Sequence, residues 1–247
     1  MAVSEAQIQI GTSGWLYPHW SERFYPSNVA SADRLAFYAE RFSTVEVNST
    51  FYRLPLAETI ESWRSKTPNS FLFSCKISQF VSHRKKLREP GLTLPPFLER
   101  IRALGPKLGP ILVQLPPRWH VNEARLTAFL NELPRDLRFA FEFRDRTWWT
   151  DEVFQLLRRH NAAFCHFDLG GTKSPPELTA DFIYFRMHGP RQAYRGSYGD
   201  RVLQSLARSC LQWQAQGVDI YGYFDNDENA HAVRNAMRLK TLLETEA

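Results

Sequence analysis

Short apolar runs recur along the whole chain of 247 residues, and amphipathic helical patterns lie between most of them. Each run is nearly continuous in aliphatic, β-branched and aromatic residues, which is typical of parallel strands covered on both faces. The predicted strands are 8–14, 44–50, 71–78, 111–117, 138–144, 162–168, 181–189 and 219–226. This strand–helix alternation, at this length, predicts an α/β fold and a single-domain (β/α)8 TIM barrel over residues 1–247.

Seven amphipathic segments supply the predicted helices: 32–42, 58–66, 96–108, 123–133, 151–160, 201–216 and 229–243. The sixth gap, residues 169–180, contains Gly-Gly and Pro-Pro pairs, so we expect only a short helical turn there. A doubly wound open sheet is the alternative architecture. It is disfavoured because the sequence has neither a GxGxxG motif nor a Walker A segment.

The composition excludes several classes of protein. Apolar residues make up 43% and charged residues 23%, a balance that argues against a disordered chain or a coiled coil. No apolar run is long enough for a membrane helix, and the N-terminus lacks the pattern of a signal peptide. Three scattered cysteines predict neither disulfides nor a zinc site, so we expect a cytoplasmic location. The net charge of +5 allows an anionic partner without requiring one.

Polar residues stand at the carboxyl ends of seven of the predicted strands, where TIM barrels carry their active sites. Period-two alternation places these residues on one strand face and apolar residues, including Cys75 and Cys165, on the face toward the helices. We therefore predict a charged pocket at the barrel mouth. Its members from the strands include Glu46, Asn48, Lys76, Gln114, Glu142, Arg144, His166, Asp168, Arg186, His188, Tyr223 and Asp225.

These residue types favour an enzyme that acts on a phosphorylated or carboxylated, sugar- or nucleotide-like substrate. Lys76, Arg144 and Arg186 would bind the anionic group, since guanidinium groups match phosphate and carboxylate. Glu46 and Glu142 would act as acid and base, with His188 assisting. The predicted substrate-binding residues are Asn48, Gln114, Trp15, Tyr52, Tyr223 and Asp225, together with the three cations. We predict no resident metal or cofactor and make no prediction of oligomeric state.

Four alternatives stay open at this point. In the first, the strand-end charges form a structural ion-pair network, such as Glu142 with Arg144. A divalent metal held by Glu46, Glu142, Asp168 and His188 would instead indicate a phosphoesterase or isomerase. The basic segment 82–88, with neighbouring aromatic residues, would suit nucleic acid. A barrel that senses a ligand without turnover is the fourth alternative.

Several sequence blocks resemble the YecE-like family, also called domain of unknown function 72. The opening block is Ile10-Gly11-Thr12-Ser13-Gly14-Trp15, and the second runs from Phe42 to Tyr52. Further matching blocks follow in order: Lys76 with Ser82-His83, Gln114-Leu115-Pro116-Pro117, Glu142-Phe143-Arg144, Arg186 with His188-Gly189, and Tyr223-Phe224-Asp225-Asn226. The resemblance covers nearly the whole chain and implies a TIM barrel without implying a reaction. Asp225 stands where the family more often has Asn.

Overall fold

The computed structural model describes residues 6–246, and every predicted strand is present in it. Eight parallel strands alternate with helices, which confirms the predicted α/β class with the strand–helix order of a TIM barrel. The strands are β1 Ile8–Thr12, β2 Thr44–Val47, β3 Leu72–Lys76, β4 Leu108–Gln114, β5 Phe139–Glu142, β6 Ala163–Leu169, β8 Phe182–Met187 and β9 Asp219–Phe224. A two-residue strand, β7 Thr172–Lys173, accompanies them.

The helices also follow the predicted order. They are α1 Arg34–Ala39, α2 Ser49–Tyr52, α3 Ala57–Ser65, α4 Pro90–Thr93, α5 Pro95–Arg102, α6 Glu123–Asn131, α7 Asp151–Arg159, α8 Asp200–Ala215 and α9 His231–Glu246. A π-helical turn covers Phe80–Arg84. The sequence analysis missed this turn, α2 and α4, which are too short to show a helical period. Within residues 6–246, no helix is both long and apolar enough to cross a membrane.

The described residues group into two compact units. The first unit comprises 6–45, 166–174 and 181–246, and the second comprises Glu46–Cys165 and Pro175–Ala180. In the first unit β9 pairs in parallel with both β1 and β8. In the second unit β4 pairs in parallel with both β3 and β5. The prediction of one domain over residues 1–247 stays a prediction.

Helix α7 illustrates how the sequence sets a local element in the second unit. Thr150 caps its N-terminus, because the hydroxyl accepts a hydrogen bond from the Val153 amide. Acidic residues in the first turn and arginines in the last suit the helix dipole. The apolar stripe is buried, and Phe154 packs edge-on against Phe164 of β6 with ring centroids 5.1 Å apart. The predicted helix 151–160 therefore forms almost as expected.

The sixth repeat departs from its predicted detail. Residues 169–180 were expected to hold a short helical turn, and they form no helix. Instead β7 pairs antiparallel with the end of β6, with Asp168 opposite Lys173. Gly170 and Gly171 make the turn with positive φ angles of 58° and 86°. Glycine adopts such angles without steric cost, so the Gly-Gly pair specifies a hairpin here.

The face assignment for β6 was wrong. Alternation placed His166 in the pocket and Cys165 toward the helices. In the structure the His166 ring lies 5.6 Å from the Trp213 ring of α8, so it faces a helix. The Cys165 sulfur lies 3.9 Å from Oε2 of Glu142, on the face opposite the helices. One alternate set of β6 is apolar and the other contains His166 and Asp168, so the pattern separated the two faces but did not decide which of them meets the helices.

We predict that Gly222→Ala destabilises the protein by about 1–3 kcal/mol, the usual cost of overpacking a core. A Cβ at position 222 would stand only 2.1–2.6 Å from atoms of the Phe185 ring, which is buried. Gly199→Ala is the matched control, because a Cβ there meets nothing within 4 Å. Urea unfolding measures both variants, and equal unfolding midpoints would contradict the close packing of Phe185 on β9.

Candidate functional site

In the first unit, three predicted site residues form one buried hydrogen-bonded group at the ends of β8 and β9. Asp225 Oδ2 accepts from Arg186 Nη2 at 3.1 Å and lies 2.9 Å from His188 Nδ1. The side chains of Arg186 and His188 are 1% and 0% exposed. Parallel pairing brings the three side chains to one face, since Arg186 lies opposite Tyr223, two residues before Asp225. We call these three residues the Arg186 cluster.

The contacts of His188 fix the role of each ring nitrogen. A carboxylate accepts hydrogen bonds, so Nδ1 carries the proton that is shared with Asp225. Nε2 then accepts from Arg186 Nη1, which lies 3.4 Å away. The imidazole is therefore oriented from both sides and fully buried. The predicted assisting role of His188 in catalysis stays a prediction.

Asp168 and Tyr198 extend this group toward the hairpin. Burial raises the pKa of the Asp168 carboxyl, and nearby Lys173, the Gly171 amide and His188 oppose the rise. Burial also raises the pKa of Tyr198, with the charge of Asp168 adding to the effect. The Tyr198 hydroxyl accepts from the Gly189 amide at 2.8 Å and donates to the Asp168 carbonyl at 3.4 Å. Tyr198 thus connects the chain after β8 to the end of β6.

The sequence analysis assigned no role to the two asparagines that hold the glycine-rich segment 194–199 in place. Asn235 of α9 accepts from the Tyr198 amide at 3.1 Å and donates to the Tyr198 carbonyl at 3.1 Å. Asn226 donates to the Gly196 carbonyl at 2.7 Å and to Asn235 Oδ1 at 2.9 Å. Asn235 is 4% exposed. The signal available in the sequence was an amide on an otherwise apolar helix face, since such an amide needs hydrogen-bond partners when it is buried.

In the second unit, cations and an aromatic ring surround His83. The Lys76 ammonium lies 4.5 Å from the centroid of the Phe51 ring, and the Phe51 ring meets His83 edge-on at 4.9 Å. Arg144 forms a short ion pair from Nε to Oε1 of Glu142. The Glu142 side chain is fully buried, and that of Arg144 is 10% exposed. We call Phe51, Lys76, His83, Glu142 and Arg144 the Lys76 cluster.

The cations of this cluster lower the pKa of His83. Burial, together with repulsion from Lys76 and Arg144, lowers the pKa of His83 to about 4. Its Nδ1 lies 2.9 Å from the Ser82 hydroxyl, which orients the ring. Both charged groups that shift this pKa are cations. At neutral pH, a neutral imidazole therefore stands in a field that favours negative charge.

The other polar residues predicted for the second unit occupy the neighbouring strand ends. Gln114 lies opposite Glu142 in the β4–β5 register, which puts both side chains on one face. Glu46 of β2 is fully buried. Asn48 follows β2 directly, and its Oδ1 is buried with no hydrogen-bond partner among the described residues. A buried amide oxygen without a donor is costly, so Asn48 is suited to accept a hydrogen bond from a ligand.

The three predicted aromatic contacts have different surroundings. Trp15 is 7% exposed, so its ring packs in the first unit and offers little surface for stacking. Tyr223 is fully buried, and its hydroxyl lies 2.8 Å from the Thr44 hydroxyl. Tyr52 is 73% exposed and stands beside Phe51. Of the three, Tyr52 presents a ring to solvent.

Across residues 6–246, no three His, Cys, Asp and Glu side chains are grouped in a way that would hold a metal ion.

A family model described as "Protein of unknown function DUF72" matches residues 9–247. The chain belongs to the DUF72 family. This confirms the resemblance drawn from the sequence blocks. The chain is 33% identical to UPF0759 protein YecE of Escherichia coli K12 over 138 residues, which are 56% of this chain and 48% of that protein. It therefore matches about half the length of that relative. UPF0759 protein YunF of Bacillus subtilis is 24% identical over 97% of this chain and 95% of that protein.

Solved structures of DUF72 proteins show the same fold. A DUF72 family protein from Thermotoga maritima superposes with a TM-score of 0.86 at 27% identity, covering 96% of this chain and 99% of that chain. One from Enterococcus faecalis gives a TM-score of 0.81 at 20% identity, with 96% of each chain covered. These matches support the strand–helix order found for this DUF72 chain, and they carry no information about its reaction.

We predict that Asp225→Ala destabilises this DUF72 protein by about 3–5 kcal/mol, because it removes the carboxylate from a buried guanidinium. The matched control is Asp200→Ala, which removes a carboxylate that pairs with Arg238 in solvent. Exposed pairs contribute less than about 1 kcal/mol. Unfolding in urea at pH 7 compares the two variants, and similar losses would show that the Arg186 cluster does not depend on Asp225.

We predict that the low pKa of His83 makes the protein less stable in mild acid. The folded chain protonates His83 near pH 4, whereas the unfolded chain does so near the ordinary value of 6.5. Between these values the unfolded chain binds more protons, so the free energy of unfolding falls as the pH falls. Between pH 7 and pH 5, the unfolding midpoint should drop more in the wild type than in His83→Gln. An NMR titration of His83 with its midpoint near 6.5 would contradict this assignment.

Proposed function

We propose that this protein is an enzyme that binds a small phosphorylated or carboxylated molecule at the Lys76 cluster and transforms it by acid–base chemistry. The observation that carries the proposal is the surroundings of His83. Its pKa is lowered by burial and by two cations, Lys76 and Arg144. An anionic group placed beside His83 would offset the effect of these two cations on the imidazole.

The energetic argument favours an anion over a neutral ligand. At an effective dielectric of about 20, one charge pair at about 4 Å is worth about 4 kcal/mol, compared with about 1 kcal/mol in water. Arg144 is 10% exposed, so its attraction for an anion is only weakly screened. The Phe51 ring beside Lys76 adds an apolar surface on which a sugar or base could pack. Asn48, with its buried acceptor oxygen, would receive a hydroxyl or amino group of the ligand.

Glu142 is the proposed proton acceptor and donor, with Glu46 as its partner in that role. Glu142 is fully buried and is held by Arg144 on one oxygen and by Cys165 on the other. A guanidinium has five N–H donors, so Arg144 can hold Glu142 and a ligand anion on different edges. Such an arrangement would place a carboxylate next to the atoms attached to the anionic group. Gln114, on the same strand face, would orient the substrate.

Arg186 and His188 take a supporting place in this proposal. Both are engaged with Asp225 and almost fully buried, so their first role is to hold the ends of β8 and β9. Arg186 was predicted to bind the anion together with Lys76 and Arg144. The proposed anion site lies in the second unit and does not include Arg186. A cytoplasmic location stays a prediction that rests on the cysteine content of the sequence.

We predict that Lys76→Met weakens anion binding by about ten- to a hundredfold, the effect expected when a charged hydrogen bond is lost. Calorimetry with inorganic phosphate, nucleoside monophosphates and sugar phosphates identifies the tightest ligand and then compares variants. Lys66→Met is the control, since Lys66 is an exposed lysine at the end of α3 in the same unit. Glu142→Gln should keep the affinity for the tightest ligand and abolish its turnover. Binding that Lys76→Met leaves unchanged would overturn the proposed site.

A further inference from the structure

A basic groove lies in the second unit beside the chain that follows β3. This groove is a cavity of about 700 Å³ lined by Arg84, Lys85, Arg88 and Arg125. Among its lining residues, Glu89 alone carries a carboxylate, and that carboxylate pairs with Lys85 at 2.7 Å. Three arginines therefore determine the charge of the groove. Arg84 and Arg88 are exposed to solvent.

The loop that carries these arginines has a fixed conformation. Leu87 is fully buried, and its amide donates to the Val81 carbonyl at 3.0 Å. Lys86, Leu87 and Glu89 all have positive φ angles, of 47°, 63° and 50°. Arg125 Nη1 donates to the Lys86 carbonyl at 3.1 Å and so ties the loop to α6. Left-handed residues without glycine persist only where the surroundings impose them. The arginines are therefore presented from a shaped surface.

An aromatic pocket adjoins the groove, and Arg84 lines both. The pocket has a volume of about 360 Å³, and its lining includes Tyr52, Phe80 and Leu92. These three side chains are 73%, 46% and 76% exposed, which is unusual for large apolar groups. Arg53 also lines the pocket and adds positive charge at its edge. The two cavities thus combine flat apolar surface with cationic groups in one continuous strip.

We propose that the basic groove and the aromatic pocket bind single-stranded nucleic acid. Phosphates would lie along Arg84, Arg88 and Arg125, and a base would stack in the pocket between Tyr52 and Phe80. This combination of a basic groove with aromatic platforms is how proteins hold single strands without reading their sequence. A duplex fits less well, because its bases are already stacked and paired. The inference goes beyond the proposed enzyme activity and uses different cations from Lys76 and Arg144.

The test is fluorescence anisotropy of the full chain with a labelled 15-nucleotide oligo(dT). Neutralising about three phosphates on a single strand gives a slope near −2 for the logarithm of the affinity against the logarithm of salt concentration. Arg88→Glu should weaken binding at least tenfold, and Tyr52→Ala should weaken it about fivefold or more through lost stacking. Arg208→Glu, an exposed arginine on α8 in the first unit, is the matched control and should bind as the wild type does.

Each outcome decides the proposal. Binding that shows this slope and the two losses supports it. No binding in 50 mM salt, or equal affinity of Arg88→Glu and Arg208→Glu, overturns it. Equal affinity for heparin, with Tyr52→Ala unaffected, would indicate a general polyanion surface and overturn the nucleic-acid assignment, as would tighter binding of a 15-base-pair duplex. Lys76→Met should retain the oligonucleotide affinity, so this proposal and the proposed function can fail independently.

Discussion

Charged side chains that leave water on folding need compensating partners, and this constraint organises both units of the chain. In the first unit, Asp225 stands between Arg186 and His188, and all three are almost fully buried. In the second unit, Glu142 pairs with Arg144 under similar burial. Desolvating an isolated ion costs several kcal/mol, so neither group would persist without its partner. The strands therefore carry their charges in pairs, and the register of the sheet decides which charges meet.

Local periodicity explains why much of the fold could be predicted from the sequence. The apolar runs and the helical stripes located all eight parallel strands and the longer helices, because both patterns come from local periodicity. The alternation argument placed Arg186, His188 and Asp225 on one face, where they are found. It failed at β6, because His166 and Cys165 are sorted by distant partners, Trp213 and Glu142. Contacts between residues far apart in sequence leave no trace in a single strand's period.

The candidate site was predicted less completely than the fold, and the reason is again physical. Residue type identified Lys76, Glu142 and Arg144, since ionisable groups within apolar strands stand out. His83 was noted in a basic segment and in one family block, and no role was predicted for it, although burial near two cations makes it the most informative titratable group of the cluster. Its position in a π-helical turn after β3 follows no simple repeat. Asn235 lies within a long helix, where one amide among apolar residues attracts little attention until its partners are known.

The two clusters suit different roles because of what surrounds their imidazoles. His188 is held by a carboxylate on one side and a guanidinium on the other, so its ring atoms already have partners. The buried network around His188 links the ends of β8 and β9. Breaking it should therefore mainly lower the stability of the protein. His83 is only half-buried, and the charged groups that shift its pKa are both cations. An incoming anion would relieve that repulsion and raise the proton affinity of His83, so binding and protonation would be coupled. A site whose electrostatics improve when a ligand arrives is the stronger candidate for chemistry, which is why the proposed function is based on Lys76 and Arg144.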